Sequence, residues 1–152
     1  MSRDYRMGSL PVAPASVGLA LSSPPYCTRV DYAVAMLPEL SILGLKRGST
    51  FDELRRSLTG TTTVPKVCDP INLSWGQTCD RFLGLVENHT SKASSGYYLK
   101  SHARYFSDLS KSIEELRKAI APSGTAVLVI QDSHYKEIHN DLPQIAIEMA
   151  EN

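Results

Sequence analysis

The sequence lacks an excess of charge of either sign. Its 16 Lys and Arg residues balance its 16 Asp and Glu residues, so the formal net charge is +0. Because phosphate contacts supply most non-specific affinity for nucleic acid, this balance counts against a stand-alone DNA-binding protein. No apolar stretch approaches the roughly 20 residues that a membrane-spanning helix needs. The first residues also lack the pattern of a secretory signal peptide. We therefore expect a cytoplasmic protein with no membrane partner.

Cysteine is scarce as well. The three cysteines, Cys27, Cys68 and Cys79, are odd in number and lack the spacing of metal ligands. Reduced thiols in the cytoplasm account for them. Cys27 is a candidate nucleophile because of its position in the chain, but no local Cys–His or Cys–Asp signature accompanies it. We expect no metal site.

Two apolar runs indicate strands. Residues 17–22 (Val17-Gly18-Leu19-Ala20-Leu21-Ser22) predict the first strand, and residues 126–130 (Ala-Val-Leu-Val-Ile) predict the second. A continuous run such as 126–130 is typical of a strand that is covered on both faces of a parallel sheet. Helical patterns separate and follow the strands, which predicts an α/β fold. Since typical sheets have about four to six strands, this sheet is incomplete unless another segment or chain supplies the rest.

The helical patterns have recognisable boundaries. Residues 31–45 show helical spacing that Pro38 interrupts. Thr50-Phe51-Asp52-Glu53 matches a capping box, which predicts a helix that ends near Leu58. Further helices are predicted over 76–88, 99–120 (ended by Pro122-Ser123-Gly124) and 142–151, the last capped by Asp141. A long loop is predicted over 60–74. Residues 1–16 are predicted to form a loose N-terminal lead-in, that is, a segment without regular secondary structure.

The segment Ser23-Pro24-Pro25-Tyr26 directly follows the first predicted strand. The prolines fix their own φ and have no N–H, so the carbonyls of Ser23 and Pro24 are less readily consumed by local turn bonds. The result is a stiff set of hydrogen-bond acceptors beside an aromatic ring, which suits binding of a nucleobase amino group. The alternative is an ordinary proline turn in which Tyr26 covers the core.

This segment resembles the catalytic motif of the DNA amino-methyltransferases, in the form seen more often in cytosine-N4 enzymes. The extended context, residues 21–32 (Leu-Ser-Ser-Pro-Pro-Tyr-Cys-Thr-Arg-Val-Asp-Tyr), resembles a subgroup in which the motif leads straight into a helix. The resemblance covers residues 17–152, read as a partial catalytic domain after the lead-in 1–16. It implies a Rossmann-like methyltransferase fold with parallel strands and flanking helices.

The resemblance also implies roles for individual residues. Ser23 Oγ and the Pro24 carbonyl would accept hydrogen bonds from the target amino group, Pro25 would stiffen the turn, and Tyr26 would stack on the base. The donor would be S-adenosylmethionine and the partner DNA, with a flipped cytosine as target. However, the glycine-rich turn with which the family binds this donor does not occur in the sequence, so the cofactor-binding half would be encoded in a separate polypeptide, truncated or lost. Two alternatives stay open: a non-catalytic or truncated remnant that acts as an interaction module, and methylation of RNA or of a protein amide.

Other residues are candidates for binding DNA or a ligand, but each also has an equally plausible structural role. Two groups of basic residues are candidates for a DNA-contacting surface. The first consists of Lys46, Arg47, Arg55, Arg56 and Lys66, and the second, more loosely spaced, of Lys92, Lys100, His102 and Arg104. The Gly60-Thr61-Thr62-Thr63 segment contacts phosphates or is a simple connector. Trp75 is a core anchor more readily than a stacking residue. Asp132 and Ser133 follow the second strand, where ligands bind parallel sheets, whereas His134 and His139 read as exposed loop residues.

Overall fold

A computed structural model of the chain describes residues 12–28, 30–64 and 71–152. The architecture is mixed α/β. The strands are β1 (Val17–Ser22), β2 (Ile120–Leu128), β3 (Ser133–Tyr135) and β4 (Ile138–Asn140). The helices are α1 (Tyr32–Ala35), α2 (Leu37–Ile42), α3 (Ser49–Ser57), α4 (Gln77–Glu87), α5 (Leu99–Ala119) and α6 (Leu142–Glu151). A 3₁₀ turn (Leu73–Trp75) precedes α4 and a π-helical turn (Ser94–Tyr98) leads into α5.

The parallel sheet consists of β1 and β2, as the two apolar runs predict. Leu21 pairs with Val127 and Ser22 with Leu128, whereas Val17 pairs with Ile120, so β2 bulges between these two registers. The strand β2 starts directly after α5, earlier than expected, and Pro122 lies within this irregular part. Proline is tolerated there because a bulge leaves a backbone position unpaired.

The expectation that the second strand is covered on both faces is wrong. Leu128 and Ile130 pack against the core, but Val127 and Val129 are exposed. Since paired residues of parallel strands share a face, Leu21 lies on the same side as Val127. Leu21 is 73% exposed and Leu19 is 66% exposed. Among the residues that the structure describes, one face of this sheet is therefore bare.

The core lies where α4, α5 and α6 meet. Phe82, Phe106 and Ile145 are buried in it, together with Leu83, Val86, Leu109, Ile113, Leu142 and Met149. Trp75 is also buried, with its ring 6.4 Å from that of Phe106. The interpretation of Trp75 as a core anchor is thus confirmed. The apolar stripe predicted for residues 99–120 is the face by which α5 contacts this core.

The helix boundaries agree with the sequence except at one cap. The break predicted at Pro38 falls at Met36, between α1 and α2. The capping box at Thr50 is wrong, because α3 begins at Ser49 after Gly48 and shows no side-chain cap. Asp141 does cap α6, accepting a hydrogen bond from the amide of Gln144 at 3.1 Å.

The hairpin β3–β4 is a feature that the sequence did not indicate. It follows β2 where a loop was expected, and Lys136 takes a left-handed conformation at its turn. His134 and His139 pair across it and are exposed, as expected. Of the predicted lead-in, residues 12–16 form no helix or strand, but Ala15 and Ser16 bond to the end of α5. Residues 1–11 and 65–70, including Lys66 and Cys68, lie outside the described residues.

Candidate active site

The Ser23–Tyr26 turn lies at the carboxyl ends of both parallel strands. The amide of Val129 donates to the Ser22 carbonyl at 2.8 Å and so extends the pairing just past β2. The Ser23 hydroxyl donates to the carbonyl of Val129 at 3.3 Å. This bond uses the hydroxyl proton and leaves the oxygen lone pairs of Ser23 as acceptors. The side chain of Ser23 is exposed, so a ligand has access to them.

Two tyrosines hold the turn in place through hydrogen bonds to its backbone. The phenol of Tyr105 donates to the Pro25 carbonyl at 2.6 Å, and the amide of Tyr26 donates to the phenol of Tyr32 at 3.3 Å. Burial raises the pKa of the Tyr105 phenol, which therefore keeps its proton and remains a donor. Among the described residues, none donates to the carbonyl of Pro24. The two predicted acceptors, Ser23 Oγ and the Pro24 carbonyl, are therefore adjacent in the chain and accept no hydrogen bond from a described residue.

Next along the chain, Cys27 meets a histidine. Its Sγ lies 3.4 Å from Nδ1 of His102, a neighbour that no local sequence signature indicated. Burial raises the pKa of the Cys27 thiol to about 12. Burial likewise lowers the pKa of His102 to about 4. Both groups are therefore neutral near pH 7, and this pair is not a thiolate–imidazolium nucleophile.

A cavity of about 240 Å³ opens beside this pair. It is lined by Tyr98, Tyr105 and Tyr135, together with Asp132, which follows β2, and Ser133, the first residue of β3. Asp132 is exposed, whereas Ser133 is buried and accepts a hydrogen bond from Asn140 at 2.9 Å. The structure therefore brings Asp132 and Ser133 to the cavity, while the Ser23–Tyr26 turn lies outside its lining.

The threonine loop is fixed by internal hydrogen bonds. The Thr62 hydroxyl donates to Asp31 at 2.9 Å, and Arg55 pairs with the same carboxylate at 2.6 Å. Burial opposes ionisation of Asp31, but these hydrogen bonds outweigh it and lower its pKa. The Thr61 hydroxyl accepts from the amide of Thr63. These contacts favour the connector interpretation of Gly60–Thr63 over phosphate binding.

The predicted basic clusters separate into internal and exposed residues. Arg104 donates to the carbonyls of Thr63 and Arg56, and Arg55 is held by Asp31, so neither side chain is left for a DNA phosphate. His102 faces the interior. Lys46, Arg47, Arg56, Lys92 and Lys100 are exposed. Of these, Lys46 and Arg47 form no ion pair with any described residue.

The described glycines do not form the cofactor-binding turn that the resemblance implies. Gly76 and Gly124 are the described glycines at which an added Cβ would lie closer than 3.0 Å to another group. The groups that it would meet belong to the chain itself, Glu148 and the Val17 carbonyl respectively. No glycine-lined space for a cofactor remains at these positions. Within the same ranges, no cluster of ligating side chains suits a metal ion.

The sequence did not identify three groups that shape this site. Tyr105, His102 and the Val129 carbonyl lie 80, 75 and 106 residues along the chain from the groups that they contact, so these contacts are non-local. Tyr105 belongs to the apolar stripe of α5, which predicts burial but not the partner of its hydroxyl. Only the pairing of β1 with β2 brings Val129 to Ser23.

Comparison with known proteins adds no family to these observations: no family model, curated protein or solved structure matches the chain. In the part of the chain that the structure describes, no helix is long and apolar enough to cross a membrane.

Proposed function

We propose that this chain is the catalytic segment of a DNA amino-methyltransferase that acts on N4 of cytosine. The observation that carries the proposal is the pair of available acceptors, Ser23 Oγ and the Pro24 carbonyl, in a turn at the carboxyl end of a parallel strand. The Rossmann-like fold implied by the resemblance is part of the proposal. The two-stranded parallel sheet and its flanking helices are compatible with that fold.

The acceptors suit the difficulty of the reaction. The amino nitrogen of cytosine is a weak nucleophile because its lone pair is delocalised into the ring. Two acceptors that hold both of its N–H bonds favour a more tetrahedral nitrogen, and they do so most strongly as positive charge develops there. Because Val129 fixes Ser23 and Tyr105 fixes the turn, these acceptors need little reorganisation. Tyr26 would supply stacking for a base that has left the duplex.

A binding experiment tests the acceptors without requiring turnover. Fluorescence anisotropy would compare a duplex carrying an unpaired cytosine with one carrying N4,N4-dimethylcytosine, which has no N–H to donate. We expect the chain to bind the first roughly tenfold more tightly. Ser23→Ala should reduce this preference, whereas Ser112→Ala, which removes a hydroxyl bonded within α5, should not. Equal affinity of the wild-type chain for both duplexes would overturn the proposal.

The bare sheet favours a second candidate, an interaction module that completes its sheet with another polypeptide. A groove of about 440 Å³ runs beside β1, lined by Leu109, Ile113 and Leu116 of α5. Leu19 and Leu21 are exposed on β1. A parallel strand is normally paired on both edges and covered on both faces. A segment with a strand and a helix would satisfy both needs.

Calorimetric titration with S-adenosylmethionine tests the second candidate. If the chain is an interaction module or needs a separate cofactor-binding half, the isolated chain releases no binding heat at micromolar donor. Micromolar binding by the isolated chain would contradict the interaction module. The replacement Leu21→Ser provides a check on the surface, because it should weaken association with a cofactor-binding partner without changing the fold of the chain.

A further inference from the structure

The tip of α2 exposes two large aliphatic side chains. Ile42 is 86% exposed and Leu43 is 82% exposed, more than any other large hydrophobic residue among those described. Such exposure is unusual for two adjacent residues of this kind, since burying each is worth about 1.5–3 kcal/mol. Two adjacent aliphatic side chains with this exposure make the tip a candidate for contact with a partner.

The tip has a defined shape. The amide of Leu45 donates to the carbonyl of Leu40 at 2.8 Å, and the amide of Gly44 donates to that of Ser41 at 3.0 Å. Gly44 has φ of +86°, so these bonds form the hydrogen-bonded helix end known as a Schellman motif. Leu40 and Leu45 are half-buried, whereas Ile42 and Leu43 face outward. The exposed pair is therefore held by a closed turn.

Positive charge follows the tip at once. Lys46 and Arg47 are exposed, and neither forms an ion pair with a described residue. Glu39 is the acidic residue of α2, and it precedes the tip by about one helical turn. An apolar pair with two free cations behind it is complementary to DNA, whose bases are apolar on their faces and whose backbone is anionic.

The tip also comes soon after the proposed catalytic turn in the sequence. The amide of Tyr26 bonds to the phenol of Tyr32, the first residue of α1. From Tyr32 the chain passes through α1, the break at Met36 and α2 before it reaches Leu43. A lipid surface fits less well, because interfacial helices present a long apolar face rather than two residues.

We propose that Ile42 and Leu43 form a wedge that enters the DNA stack where the target base has left it, while Lys46 and Arg47 contact the flanking phosphates. The inference rests on the proposed function, because a base must leave the duplex to create the gap. Apolar side chains inserted between base steps are a general means of stabilising such a distortion.

Anisotropy with the full chain tests the wedge. A duplex with an abasic site offers a preformed gap, so the wild-type chain should bind it roughly tenfold more tightly than the intact duplex. The double replacement Ile42→Ser, Leu43→Ser should abolish this preference, and Leu43→Ala should reduce it. Ile147→Ser, an exposed aliphatic residue on α6, is the matched control. Lys46→Gln with Arg47→Gln should weaken binding to both duplexes and lower the salt slope by up to about 2.

The outcomes separate this inference from the proposed function. If the wedge variants keep the abasic preference while Ser23→Ala still reduces selectivity for the cytosine amino group, the wedge is wrong and the proposed function stands. If the wild-type chain binds no duplex, both are wrong. Vesicles of phosphatidylcholine with 30% phosphatidylserine (roughly the anionic fraction that attracts basic segments) provide the last arm. Binding to them that requires Leu43, without any abasic preference, would replace the wedge with a membrane contact.

Discussion

The phenol of Tyr105 on α5 donates a hydrogen bond of 2.6 Å to the carbonyl of Pro25, although 80 residues separate the two in sequence. In the proline turn, the carbonyls of Pro25 and Tyr26 accept hydrogen bonds from within the fold, whereas Ser23 Oγ and the Pro24 carbonyl accept none from a described residue. A buried helix residue fixes the orientation of an exposed loop. The first prediction follows from this bond.

Tyr105→Phe removes the donor and keeps the ring. We expect the free energy of unfolding to fall by about 1 kcal/mol, the net value of one hydrogen bond. Urea denaturation followed by circular dichroism would measure it. Ser112→Ala on the same helix should leave stability unchanged, because its hydroxyl bonds only to a carbonyl one turn back. A Tyr105→Phe variant as stable as the wild type would show that the bond contributes nothing.

His102 should make stability depend on pH. Burial lowers its pKa from 6.5 to about 4, so the unfolded chain binds more protons between these values. Stability is then fully present above pH 6.5 and is lost as the pH falls toward 4, with a loss of about 2 kcal/mol between pH 7 and 5. His102→Gln should remove this difference, whereas His134→Gln, at an exposed position, should keep it. Unfolding curves at both pH values would decide.

Cys27 should be an unreactive thiol in the native chain. Its pKa is raised to about 12 by burial, against 9.0 for an ordinary thiol. At a given pH the thiolate fraction is then about a thousandfold lower, and alkylation slows in proportion. Timed treatment with iodoacetamide and peptide mapping would compare the native chain with the chain in urea. Rapid native labelling of Cys27 would contradict the neutral Cys27–His102 pair.

Gly124 should not accept a side chain. A Cβ there would lie 2.6 Å from the carbonyl of Val17 and 2.9 Å from Ile120, at the bulge where β2 changes register. Gly124→Ala should therefore destabilise the chain by about 1–3 kcal/mol. Gly18→Ala on β1 is the control, since nothing lies within 4 Å of its added Cβ. We expect that variant to be unchanged or more stable by up to about 1 kcal/mol, measured by thermal and urea unfolding.

Local patterns predicted most elements of the fold. The apolar run before Ser23 identified β1. The stripe from Tyr105 to Leu116 identified α5, because burial of one face of a helix imposes a regular spacing on the sequence. The β3–β4 hairpin lacked that signal, since its turn uses Lys136 and Glu137 in place of glycine or asparagine. The capping box failed at Thr50 because Gly48 starts the helix without a side-chain cap.

The candidate site was only half predictable for a related reason. Ser23, Pro24 and Tyr26 are contiguous, so their chemistry is visible in the sequence. Tyr105 and His102 reach Pro25 and Cys27 only through the packing of α5. The sequence does not show which residues this packing brings together. The same holds for the bare sheet face, because an apolar strand looks alike whether or not the structure covers it.

The pairing of β1 with β2 has a consequence for synthesis on the ribosome. About a hundred residues separate the two strands, so closing this loop is entropically slow and cannot precede the emergence of β2. At about 5–20 residues per second, β1 waits on the order of 5–20 s for its neighbour. During that time Leu19 and Leu21 lie on an unpaired strand edge. Newly made chains are therefore most vulnerable to aggregation, and most open to a chaperone or an assembly partner, before β2 has emerged.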